Sequence, residues 1–113
     1  MKTVTLIIKE KYLAEIIAGT KKIEYREIRP NSNNKYLVYL PGDNVEPRQY
    51  DTITFYAGYT KNRKSAIVEI TDSEIVIEAD ENNVPIEYEE KGIMYTMATM
   101  QYTLGKVISH NFN

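Results

Sequence analysis

The feature that most restricts what this chain can fold into is an abrupt change of period at Gly19. Within residues 16–26 (IIAGTKKIEYR), an apolar helical pattern of Tyr12, Leu13, Ile16 and Ile17 stops at Gly19, and a two-residue alternation begins at once. Glycine most easily takes the left-handed conformation that closes a helix, so Gly19 is expected as a C-terminal cap and Thr20-Lys21 as a tight link into a strand over residues 22–28. Successive strand side chains point to opposite faces, which puts Lys22, Glu24 and Arg26 on one face and Ile23 and Tyr25 on the other. Two cations then flank a carboxylate in one row, with Lys21 at the helix-strand corner.

The remaining elements follow from pattern and punctuation. Residues 3–9 (TVTLIIK) are apolar and β-branched and read as a first strand, followed by a helix over residues 10–18 that has no Ser, Thr, Asp or Asn ahead of it. Pro30 ends the charged strand and NSNNK forms a polar turn. Residues 36–40 (YLVYL) read as a short buried strand, residues 41–44 as a turn, and the segment to Tyr50 as irregular. Residues 51–59 alternate again and lead into TKNRK, a connection with three cations and no acid. Residues 65–79 exceed one typical strand, so TDS in the middle is expected to bend or separate two strands. Residues 80–85 form a polar loop, residues 86–94 have no clear period, and residues 95–112 are punctuated by Leu104-Gly105. Six or seven short strands with one early helix predict a small antiparallel β-barrel of the α+β kind.

At 113 residues the chain is expected to form one domain, residues 1–113. No apolar run approaches the roughly 20 residues that span a bilayer, and Lys9 interrupts the apolar start too early for a signal peptide, so a cytoplasmic protein with no membrane contact is expected. Cysteine is absent and His110 is the one histidine, which removes thiolate nucleophiles, disulfides and zinc-thiolate or His-rich metal sites. No metal and no cofactor are expected. Residues 1–64 carry twelve Lys+Arg and seven Asp+Glu, whereas residues 65–113 carry two and nine. Such a chain can offer a basic face to an anion while remaining acidic overall. Ten tyrosines, against two phenylalanines and no tryptophan, belong mainly to strand and core packing.

Strand, helix, then Gly19-Thr20-Lys21-Lys22-Ile23-Glu24-Tyr25-Arg26 resembles the G-x-K-x-x-E-x-R signature of the ASCH superfamily. Leu6-Ile7-Ile8-Lys9, the segment 53–56, and Tyr102-Thr103-Leu104-Gly105-Lys106-Val107-Ile108 are similar to other blocks of that family. The resemblance implies a PUA-like β-barrel with a cleft at its mouth, beside the early helix, into which the motif's lysine, glutamate and arginine face. It also implies binding of RNA or a modified nucleoside or nucleotide. The residues suit that chemistry: Arg26 can clamp a phosphate or carboxylate, Lys21 and Lys22 supply point charges, and Glu24 can accept from a base edge or hold Arg26. Lys61, Arg63 and Lys64, with Tyr56 and Tyr59 alongside, are candidate contacts to a single strand, although a solvated hairpin tip has the same composition. His110 carries no role in this reading.

Two alternatives remain from the same residues. A subgroup similar to the ASCH family hydrolyses N4-acylated cytidines with the motif's lysine, a threonine and a distant glutamate. In that reading Lys21 and Glu24 are the catalytic candidates, Glu24 standing where the threonine would be, with Glu69 and Glu74 as candidates for the distant acid. The second alternative is a protein-interaction module that uses the acidic segment 69–90.

Overall fold

A computed structural model describes residues 1–112. Among them are nine strands and two helices: β1 (Thr3–Ile8), α1 (Glu10–Ala18), β2 (Ile23–Ile28), α2 (Asn33–Tyr36), β3 (Leu37–Leu40), β4 (Asn44–Pro47), β5 (Thr52–Ala57), β6 (Ser65–Ile77), β7 (Glu87–Glu90), β8 (Ile93–Thr96) and β9 (Ala98–His110). The chain is mostly β with an early helix. One five-stranded sheet has the order β1-β5-β6-β9-β2, and β3-β4 and β7-β8 form separate two-stranded sheets. The chain divides into two compact units, the first Met1–Glu24, Gln49–Asp72 and Tyr102–Asn113, the second Tyr25–Arg48 and Ser73–Gln101.

In the first unit, β1 and β5 run parallel with Thr3 opposite Thr52 and Ile8 opposite Ala57. The sheet is therefore mixed, which corrects the expectation of a wholly antiparallel one. The physical reason is connectivity: no hairpin joins β1 to β5, and the long excursion between them permits a parallel return. The pair is anchored at its start by the Lys2 N–H donating to Asp51 Oδ2 at 2.8 Å and by the Asp51 N–H donating to the Lys2 carbonyl at 2.8 Å. β5 then pairs with β6 antiparallel, Ile53 opposite Val68 and Tyr56 opposite Ser65.

Alternation sets the core of this unit. Val4, Leu6 and Ile8 of β1 are buried, as are Ile53 and Phe55 of β5, Ala66 and Val68 of β6, and Tyr102 and Leu104 of β9. α1 packs on β5 and buries Leu13 and Ile16, one turn apart on a single stripe, while Tyr12 lies outside with the Lys11 ammonium 4.8 Å above its ring. Full burial of a leucine such as Leu13 contributes roughly 1.5–3 kcal/mol. Gly19 ends the helix as expected, at φ 84° and ψ 7°, and its N–H reaches back to the carbonyls of Glu15 and Ile16. Gly105 meets a different demand. It lies mid-strand in β9, where a Cβ would collide with Glu69 Oε1 and would sit 2.7 Å from Thr71 Cγ2.

The second unit holds the two hairpins. β3 and β4 pair with Leu37 opposite Pro47 and Leu40 opposite Asn44, so the segment expected to be irregular contains a strand. β7 and β8 pair with Tyr88 opposite Tyr95, and the ambiguous segment 86–94 is thus mostly hairpin. Its loop is Lys91-Gly92, with φ 52° and 80°, the positive values that a two-residue turn of matching twist requires. β6 runs from Ser65 to Ile77 as one strand, so of the two expectations for TDS, a bend or a break into two strands, the break is corrected; the division between the two units falls between Asp72 and Ser73. Asp72 and Ser73 stay in extended backbone, where no proline removes a ladder donor.

Candidate functional site

The charged corner is built by three local choices. The helix closes at Gly19, and the Thr20 and Lys21 N–H groups both donate to the Glu15 carbonyl, at 3.0 and 3.1 Å. That turn aims the Lys21 side chain along the start of β2. Its ammonium donates to the Ile23 carbonyl at 2.6 Å and lies 3.1 Å from Glu24 Oε1. The sheet takes up the same corner from the other side, where the Leu104 N–H donates to the Lys22 carbonyl at 2.8 Å.

Alternation along β2 holds, and the row of Glu24, Arg26 and Ile28 is the less exposed one. Glu24 is buried, at 6% exposure, whereas Tyr25 is 57% exposed, so the charged row rather than the aromatic one faces inward. Among the described residues Glu24 is the one charged side chain in the buried class. Lys21 keeps 21% of its side chain exposed and can still meet solvent or a ligand. A carboxylate withdrawn from water is costly unless a cation or hydrogen bonds compensate it, and Lys21 supplies one such partner.

The other residues expected here are placed differently. Lys22 precedes the strand, which begins at Ile23, and is exposed. Arg26 is half-buried and belongs to the second unit, while Lys21 and Glu24 belong to the first. Glu69 is exposed and its carboxylate passes over Gly105 to accept from the Lys106 N–H at 3.4 Å; Glu74 is exposed in the second unit.

The basic connection between β5 and β6 is ordered by its own cations. The Arg63 guanidinium lies 3.8 Å from the centre of the Tyr56 ring and donates to the Gly58 carbonyl at 3.2 Å. Lys64 lies 5.5 Å over the ring of Phe112. Lys61 and Tyr59 are exposed, Tyr59 at 84%. Cations seated on aromatic faces gain about 0.5–1 kcal/mol each at such exposed sites, enough to bias rotamers.

The acidic segment 69–90 does not form one surface element, since it is divided among β6, a loop and β7. Its last member, Glu90, lies 3.6 Å from Arg29, whose guanidinium stands 4.3 Å over Tyr88, and Tyr88 stacks on Tyr95 at 5.7 Å. Arg29, Tyr88 and Tyr95, with Tyr39, border a cavity of about 130 Å³ in the second unit. Among the described residues no group of three or more His, Asp or Glu side chains is arranged to hold a metal ion, and no helix is long and apolar enough to cross a membrane.

No family model, curated protein or solved structure matches this chain. The residues of the corner themselves therefore carry the functional reading. The burial of Glu24 is the part that strand spacing alone leaves open. Its signal was present in Ile28, which shares the two-residue phase of Glu24 and Arg26 and is the apolar end of that row.

Proposed function

We propose that the chain is an RNA- or nucleotide-binding module of the ASCH kind, and that the helix-strand corner at Lys21 and Glu24 receives the ligand. The observation that carries this reading is a nearly buried carboxylate paired at 3.1 Å with a partly exposed lysine, immediately after a helix cap. A small domain gains little stability from such a pair compared with apolar residues of similar volume, so its presence favours a role in recognition. In that role Glu24 accepts from the amino edge of an unpaired base and Lys21 turns its ammonium toward an anionic group. Arg26, on the same strand but in the second unit, is assigned a phosphate contact on the strength of its residue type and position in the motif.

The hydrolytic alternative draws less support. The threonine that the subgroup similar to this family uses is replaced here by Glu24, which is buried and lies 3.1 Å from Lys21, so the hydroxyl nucleophile is missing at that position.

The test is retention of a labelled single-stranded oligoribonucleotide by the full chain at several salt concentrations. Affinity is expected to fall as salt rises, and Lys21→Ala and Arg26→Ala are each expected to weaken it severalfold. Retention that is indifferent to salt, or unchanged in both variants, counts against the proposal.

A further inference from the structure

A second cleft lies in the first unit, on the face of β5 opposite Ile53 and Phe55. It encloses about 290 Å³ and is lined by Thr54, Tyr56, Ser65, Ser109, His110 and Asn111, together with Ala66 and Ile67. Four of these side chains carry hydroxyl groups and one an imidazole. Its volume lies just below the range for small-molecule sites, about 300–1,000 Å³.

The charge around this cleft is one-sided. No Asp or Glu occurs between Thr52 and Val68, and none follows Glu90, so every strand segment that lines the cleft is free of acids. Three cations, Lys61, Arg63 and Lys64, occupy the connection that borders it. Arg63 rests on Tyr56, itself a lining residue, and Lys64 rests on Phe112, whose ring meets that of His110 edge-on at 6.2 Å. One of the five guanidinium donors of Arg63 is used on the Gly58 carbonyl.

The cleft is also held in shape by its own hydrogen bonds. Asn111 clamps the end of β9 to the loop: its Oδ1 accepts from the Ser65 N–H at 2.7 Å, its Nδ2 donates to the Arg63 carbonyl at 3.3 Å, and its N–H donates to the Ser65 carbonyl at 3.2 Å. The Phe112 N–H donates to His110 Nδ1 at 3.1 Å. In a neutral imidazole that bond assigns the proton to Nε2 and makes that nitrogen a donor. Thr54 is steadied by a 2.9 Å contact between its hydroxyl and that of Thr3.

We infer that this cleft binds the phosphate group of a nucleoside monophosphate. Hydroxyl and imidazole donors suit phosphate oxygens, Arg63 and Lys64 supply charge, and Ile67 offers an apolar wall for the remainder of the ligand. This site stands apart from the Lys21 corner and does not depend on its function.

The experiment titrates the ¹⁵N-labelled full chain with adenosine 5′-monophosphate, inorganic phosphate and adenosine, and follows assigned amide resonances. Adenosine 5′-monophosphate is expected to give saturable shifts at residues 64–66 and 109–111, and inorganic phosphate weaker shifts at the same amides. Adenosine is expected to give none there. Arg63→Gln and His110→Asn, each checked for native dispersion of the other resonances, are expected to weaken binding about tenfold. Lys91→Gln, which removes an exposed charge in the turn between β7 and β8, leaves the affinity unaltered. The inference is overturned if adenosine shifts these amides as strongly as its monophosphate, if inorganic phosphate shifts none of them, or if both cleft variants bind like the parent chain.

Discussion

Replacing Gly105 by alanine puts a methyl group into a place on β9 where side chains from β6 cross the backbone. The new Cβ meets Glu69 Oε1 and lies 2.7 Å from Thr71 Cγ2. The glutamate can swing away, losing only a long 3.4 Å hydrogen bond from the Lys106 N–H. The threonine is stiffer, because its branched Cβ restricts χ1, and rotating it breaks the 3.2 Å hydrogen bond from its hydroxyl to the Thr103 carbonyl. An off-rotamer threonine costs about 1 kcal/mol and the lost hydrogen bond about 1 kcal/mol. Removing a glycine from a strand interior returns roughly 0.5–1 kcal/mol of backbone entropy. The net loss is about 1–1.5 kcal/mol, or a midpoint lowered by about 5 °C for a chain of this size. Thermal unfolding followed by circular dichroism, with urea titration beside it, measures this directly. Thr71→Ser removes Cγ2 and keeps the hydroxyl, so adding it to Gly105→Ala should recover about 1 kcal/mol relative to the sum of the single changes. A neutral or stabilising Gly105→Ala, or a double variant that recovers nothing, would refute the account of this crossing.

Three further outcomes are expected. Lys21→Met keeps the aliphatic stem and leaves the Glu24 carboxylate without its ammonium; because the pair is only partly withdrawn from water, the loss falls between the buried and exposed limits at about 2 kcal/mol, and Glu24→Gln should cost less in the same urea titration. Gly92→Ala forces an L side chain into a residue at φ 80° and should cost about 1 kcal/mol, read as a lower denaturation midpoint with an unchanged slope. Leu13→Ala, at a site with no exposed surface, should cost 2–5 kcal/mol, and a loss below 1 kcal/mol would mean that α1 is not held by its buried stripe.

The elements that local chemistry controls were legible before any coordinates. α1 spans Glu10–Ala18 as its period indicates, and Gly19 caps it in the left-handed conformation. β1, β2, β3 and β5 lie within one or two residues of their expected limits. The errors concern choices made by partners distant in sequence. Whether β1 runs parallel to β5 depends on a strand more than forty residues away, and periodicity says nothing about direction. β6 looked too long for one strand because typical lengths were applied to it. The segment 87–96 was opaque because EYEE lacks the apolar residues that mark a strand, although Lys91-Gly92 carries the turn chemistry of a hairpin. At the corner, spacing put Glu24 and Arg26 on one face, but only packing decides which face is inward. His110 appeared featureless because Ser65 and Tyr56, its companions around the cleft, lie far from it in sequence.

The parallel seating of the first strand has a consequence for synthesis. β1 sits at the margin of its sheet with β5 as its neighbour there, so during synthesis β1 has no ladder to join until Thr52–Ala57 follows. In the interval α1, only nine residues long, lacks the packing that holds its helix, and Val4, Leu6 and Ile8 wait uncovered. Translation speed across the stretch between these strands therefore sets how long the nascent chain carries an open, adhesive edge.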